Sequence, residues 1–125
     1  MRFLALLVGL LAGLIAAATA AAQDFERPIS LVQVGTYASG VFDEGAAEIV
    51  AYDPGSRRLV VVNGDAETID ILDIGDPARP TKVGAIDVTP FGASPNSVDV
   101  YDGLVAVAVE ADPKTDPGRV AFFDV

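Results

Sequence analysis

From residue 23 onward, apolar and polar positions alternate in short runs, and no stretch carries the spacing of an amphipathic helix. Eight segments read as strands: "ISLVQVGTY" (29–37), "AAEIVAYD" (46–53), "LVVVN" (59–63), "TIDILDI" (68–74), "TKVGAIDV" (81–88), "SVDVYD" (97–102), "LVAVAVE" (104–110) and "RVAFFDV" (119–125). "LVVVN" is apolar on both of its faces, as a central strand is. In "TIDILDI" the period of two puts Ile69, Ile71 and Asp73 on one face and Asp70, Leu72 and Ile74 on the other. "PGSRR", "GDAE", "GDPARP" and "ADPKTDPG" separate the runs, and the prolines stop strand pairing because they lack the ladder N–H. The pattern predicts an all-β, mostly antiparallel fold.

The pattern also repeats. A shift of 49 residues lays Val34-Gly35 on Val83-Gly84, Phe42 on Phe91, Ile49 on Val98, Ala51 on Val100 and Tyr52-Asp53 on Tyr101-Asp102. Leu59-Val60 then matches Leu104-Val105 at a shift of 45, and Ile69, Ile71 and Asp73-Ile74 match Val120, Phe122 and Asp124-Val125 at a shift of 51. Matches fall on strands and length changes fall on turns, as in a structural repeat, because turns tolerate insertion. A four-stranded unit of roughly 45–50 residues has the size of a β-propeller blade. The expectation is therefore about two antiparallel propeller blades with a leading strand, a β-sandwich being the alternative. Because a propeller needs at least about four blades, the chain reads as the N-terminal part of a larger propeller.

Two resemblances attach to these residues. "IDILDIGDPARPTKVGAI" resembles the LVIVD-type propeller repeat of bacterial surface proteins. "GTYASGVFDEGAAEIVAYDPGSRRLVVVNGDAETIDILDI" and "PNSVDVYDGLVAVAVEADPKTDPGRVAFFD" resemble the start of the choice-of-anchor I domain. The likeness covers 29–125 and is most specific over Phe42–Asp53 and Leu104–Asp124. It implies an exported, propeller-like domain, related to a mesenchyme-specific cell-surface glycoprotein and often labelled alkaline phosphatase-like. It brings no catalytic residue to a position of this sequence.

The first residues change the picture by adding an address. Arg2 precedes an apolar run from Phe3 to Ala18, and "TAAAQDFERP" then turns polar. That is the layout of a secretory signal peptide. Ala18-Thr19-Ala20 and Ala20-Ala21-Ala22 both offer an A-x-A cleavage frame, and cleavage after Ala22 is the favoured reading. An uncleaved membrane anchor is the alternative, since about 20 apolar residues can span a bilayer. The organisation expected is a signal peptide at 1–22, a short linker at 23–28 and the β domain at 29–125, secreted, periplasmic or at the cell surface, with no membrane span after cleavage.

Charge narrows the partners. The formal net charge is −10, and loss of Arg2 with the signal peptide makes it −11. Such a chain is repelled by nucleic acid and anionic headgroups, so the expected partner is a protein or other surface ligand. Cysteine and histidine are both absent, which removes disulfides, Ser-His-Asp and Cys-His catalysis and histidine metal sites.

What remains is carboxylate chemistry. Asp43, Glu44 and Glu48 lie close together in "FDEGAAE", where Gly45 allows a tight bend, and are the candidate ligands for calcium or a phosphatase metal. A solvated loop explains the same residues. Asp65, Glu67 and Asp70 form a second cluster beside Asn63-Gly64, itself a strong hairpin-turn signal. Glu110, Asp112 and Asp116 flank the inserted loop "ADPKTDPG" and are a candidate for ligand or cation contact. Asp53 and Asp102, each ending a Tyr-Asp pair before a turn, are expected to cap their hairpins. Ser39, Ser94 and Ser97 lack a nucleophile-elbow setting, and no phosphate-cradling glycine loop occurs. The functional expectation is a non-catalytic exported binding, adhesion or scaffold module, the alternative being part of an extracellular metal-dependent phosphoesterase.

Overall fold

The computed structural model describes residues 29–125; the signal peptide and linker readings lie outside the described residues. Seven strands follow one another: β1 (Val50–Asp53), β2 (Arg58–Asn63), β3 (Thr68–Asp73), β4 (Thr81–Asp87), β5 (Ser94–Tyr101), β6 (Leu104–Glu110) and β7 (Arg119–Asp124). No helix occurs among the described residues. All seven lie within one compact unit, Val32–Val125.

The strands form two antiparallel meanders, a four-stranded sheet ordered β1-β2-β3-β4 and a three-stranded sheet ordered β5-β6-β7. Within each sheet every strand pairs with its neighbour in sequence through a hairpin connection, and the β4–β5 link passes from one sheet to the other. The fold is all-β and antiparallel, with blade-like sheets whose first three strands repeat in the same order. The expected leading strand is the exception. Residues 29–37 carry no strand pairing, and Val32 and Val34 are exposed at 77% and 66%. Alternation alone does not make a strand; it needs a neighbouring edge to supply its ladder.

The core lies between the sheets. Val60, Val62, Ile69 and Val88 meet Val98, Val105, Val107, Val109 and Ala121 in one cluster. Phe91 and Phe123 stack edge to face beside it, with ring centroids 5.4 Å apart. Within the four-stranded sheet, β2 buries Val60, Val61, Val62 and Asn63 in succession, as its apolar run requires. Strand β6 instead buries Val105, Val107 and Val109 and leaves Leu104 exposed.

Strand β7 departs from the sequence alignment by one position. Leu59 faces Leu72 across the first sheet, whereas Leu104, its counterpart, faces Asp124 and not Phe123. A slip of one residue turns every side chain over. Ala121 and Phe123 therefore point to the core, and Val120 and Phe122, the sequence matches of Ile69 and Ile71, are exposed at 61% and 64%.

Candidate functional site

The carboxylates divide into those that close the backbone and those that face solvent. Asp53, at the end of β1, accepts hydrogen bonds from the Gly55 and Ser56 amides at 3.3 and 3.2 Å and from the Ser56 hydroxyl. These bonds, the Ser56 hydroxyl first, hold its carboxyl below the ordinary 3.8. The turn it closes runs from Pro54 to Arg57, and Arg57 takes a positive φ of 54°. The β2–β3 turn is built the same way. Asn63 Oδ1 accepts from the Ala66 amide at 3.0 Å, and Glu67 takes a φ of 54°. Asn63-Gly64 is therefore not the two-residue turn that the dipeptide signals; Asn63 caps a four-residue turn and still pairs with Thr68.

The β5–β6 hairpin does contain a two-residue turn. Tyr101 pairs with Leu104, and Asp102 and Gly103 between them have φ values of 49° and 81°. Two successive left-handed residues define a type I′ turn, the geometry favoured by Asp-Gly. The expectation that Asp53 and Asp102 act alike fails here. Asp53 works through its side chain and Asp102 through its backbone, because four intervening residues leave amides to cap and two do not.

The expected acidic clusters are placed as follows. Asp43, Glu44 and Glu48 are all exposed, and the positive φ of that bend, 62°, falls on Asp43 rather than on Gly45. The bend is docked by its backbone: the Gly45 carbonyl accepts from the Gly64 and Asp65 amides at 2.8 and 3.3 Å. Glu48 lies against Gly45 and Gly64. In the second cluster Asp70 is separated by burial. It is 3% exposed and is held by Lys82 Nζ at 2.7 Å, Thr68 Oγ1 at 3.1 Å and Asn63 Nδ2 at 3.3 Å. That pairing satisfies a buried charge and leaves Asp70 a structural acid. Sequence reading missed it, because Lys82 lies on the far side of the "GDPARP" loop. Among the described residues no three acidic side chains converge as a metal ion would require.

The third cluster borders a recessed part of the surface. An open groove of about 410 Å³ is lined by Asn96, Glu110, Lys114, Asp116 and Arg119, among others. A second, of about 480 Å³, shares Asp116 and Arg119 and adds Phe91, Asp112 and Pro117. The extra residue Asn96 bulges out of β5, where Pro95 pairs with Val109 and Ser97 with Ala108, and its amide reaches Glu110 at 3.4 Å. Lys114 binds the other Glu110 oxygen at 2.9 Å. Lys114 first, and Asn96 after it, hold the Glu110 carboxyl below its ordinary value. Arg119 donates to the Phe91 carbonyl at 3.0 Å. The groove thus offers both charge signs, with Glu110, Lys114 and Arg119 held by internal partners.

Repeated hairpins and two packed antiparallel sheets define an all-β module of blade-like sheets. The family is settled by comparison: the choice-of-anchor I domain matches residues 48–125, a span that contains all seven strands. The chain belongs to the choice-of-anchor I domain family, and with it to exported, surface-associated modules. Among curated proteins and solved structures, none matches the chain.

Proposed function

We propose that this protein is a non-catalytic module of the cell exterior, carried there by the 1–22 signal peptide, that binds a protein or surface ligand through the loops of two propeller-type blades. The observation that carries the reading is the family match over a region whose two sheets repeat β1-β2-β3 as β5-β6-β7. The LVIVD-like unit 69–86 supplies most of β3, the proline loop and most of β4. Like faces of the sheets share one core, Val60 and Val62 with Val105 and Val107. Two sheets can bury their apolar faces in that way without a closed ring.

The test joins location to activity. The chain, tagged at its C-terminus and expressed in a bacterial host, is expected outside the cytoplasmic membrane, accessible to added protease, with a new N-terminus at Gln23. The purified protein is expected to be inactive on p-nitrophenyl phosphate with calcium, magnesium or zinc. Hydrolysis that Glu48→Gln abolishes would overturn the non-catalytic reading in favour of a metal-dependent phosphoesterase. A rise of the urea midpoint with calcium, lost in the same variant, would assign Asp43, Glu44 and Glu48 to calcium.

A further inference from the structure

We infer that Asn63-Gly64 is a self-modification site, at which the Gly64 amide nitrogen closes on the Asn63 side chain and converts it to aspartate or isoaspartate, and that the docked bend at Gly45 sets the rate. The inference is independent of the binding role proposed above. Asparagine followed by glycine is the pair most open to this reaction, because no Cβ on the second residue obstructs the approach of its nitrogen. Water is the one co-reactant. A bond forms between Gly64 N and Asn63 Cγ, the Cγ–Nδ2 bond breaks, and the Gly64 amide proton leaves with Nδ2 as ammonia. Water then adds to the cyclic imide and breaks either of its C–N bonds. One opening gives aspartate; the other gives isoaspartate, whose backbone is longer by a methylene.

The fold holds each reacting group away from that course. Gly64 gives its N–H to the Gly45 carbonyl at 2.8 Å, which turns the attacking nitrogen toward the bend. Asn63 pairs with Thr68 in the ladder and is buried. Its Oδ1 accepts from the Ala66 amide at 3.0 Å, and its Nδ2, the leaving group, donates to Asp70 at 3.3 Å. The restraint on the nitrogen comes from outside the hairpin. Glu48 N–H on the Val62 carbonyl, at 3.0 Å, joins the bend to β2, while residues 43–47 belong to no ladder. Segments of that kind open at a lower free energy than core strands do. Lifting the bend frees Gly64 N while the β2–β3 ladder stays paired. The product is not housed as asparagine is. Asp70 is buried and held by Lys82 Nζ at 2.7 Å. A carboxylate at 63 takes away the Nδ2 donor and sets a second negative charge against Asp70, and like charges buried together are costly. Because ammonia is lost to solvent, conversion is a one-way mark on copies whose bend has opened, and it loosens the hairpin that carries it.

Peptide mapping by mass spectrometry, on the full chain held at mildly alkaline pH, follows conversion at Asn63. In strong urea Asn63 should convert faster than Asn96, whose successor is Ser97, and Gly64→Ala should slow it. In native buffer the Asn63 rate should fall by at least about tenfold. Glu48→Pro removes the N–H that joins the bend to β2 and should raise the native rate about two- to tenfold. Val107→Ala opens a cavity in the shared core without touching the bend, and should leave that rate unchanged. Hydrogen exchange of the parent reads the same opening with no substitution, so it decides the matter even where Glu48→Pro does not fold: the Gly64 amide should exchange ahead of the β6 amides. Asn63→Asp should lower the urea midpoint, and Asp70→Asn in the same chain should recover part of the loss. Conversion in urea no faster at Asn63 than at Asn96 overturns the site. Equal acceleration by Glu48→Pro and Val107→Ala, or Gly64 exchange in step with β6, overturns control by the bend.

Discussion

The two sheets begin with the same words and end in different states. Tyr52-Asp53 and Tyr101-Asp102 close β1 and β5, Leu59-Val60 and Leu104-Val105 open β2 and β6, and the strand order is the same. Yet the first sheet closes its first hairpin with a buried carboxylate, while the second turns on two left-handed residues, and among the described residues the first has four strands and the second three. Repeated sequence sets strand order and the position of each turn. Loop length sets turn chemistry, and the ladder sets which face of the last strand is buried.

The sharpest way to break that comparison is a pair of alanine substitutions at residues the sequence aligns. Ile69 is fully buried in the shared core, and Val120, its match, is exposed at 61%. Ile69→Ala is expected to cost about 2–5 kcal/mol through lost burial and the cavity left behind. Val120→Ala should stay within about 0.5 kcal/mol of the parent, as surface changes usually do. Urea melts of the three proteins measure both. Equal losses would put Val120 in the core and restore the alignment at a shift of 51.

This one-residue slip marks the limit of what the chain declares. Strands β1 to β7 are legible because alternation and turn residues are local signals, and burial of β2 on both faces follows from its unbroken apolar run. The register of β7 is not legible. "VAFF" offers an apolar residue at every position, so period two cannot choose between its faces; packing against Phe91 chooses Phe123. Residues 29–37 mislead for the converse reason, since alternation states that a segment can be a strand and an edge must accept it. The acidic clusters were visible as composition only. That Asp70 is buried with Lys82 while Asp43 and Glu44 face solvent depends on contacts across a loop.

A smaller effect separates the two turns. Gly103 has a φ of 81°, a region that a Cβ makes costly, and its space is otherwise open, the nearest atom being the Val125 carbonyl oxygen at 3.5 Å. Gly103→Ala is therefore expected to cost about 1–2 kcal/mol of backbone strain. Gly55 lies in the four-residue turn with no positive φ, and a methyl there meets only Asp53 Oδ1 at 3.5 Å. Gly55→Ala should be neutral or slightly stabilising, because it restricts the unfolded chain. A common response at both glycines would mean that the hairpins turn alike.

The smallest effect is also the most specific to one hairpin. Asp53 is held below its ordinary 3.8 chiefly by the Ser56 hydroxyl, with the Ser56 and Gly55 amides assisting. A depressed carboxylate contributes stability that is complete above the unfolded value, near 3.8, and is lost as pH falls through the lower folded value. Ser56→Ala removes the leading cause and should move the Asp53 carboxyl up toward its ordinary value. The parent and the variant should then diverge in stability most above that value and converge below the folded pKa, where both carboxylates are protonated. Carboxyl NMR titration reads the shift directly, and urea melts across the acid range read its linkage to folding. Asp102, which acts through its backbone, gives the internal control: changing it to Asn, a residue that also tolerates the left-handed region, should keep the neutral-pH urea midpoint near the parent's, whereas Asp53→Asn should lower it. If Asp102→Asn lowered that midpoint as Asp53→Asn does, the two aspartates would share one role after all, and loop length would not be what divides them.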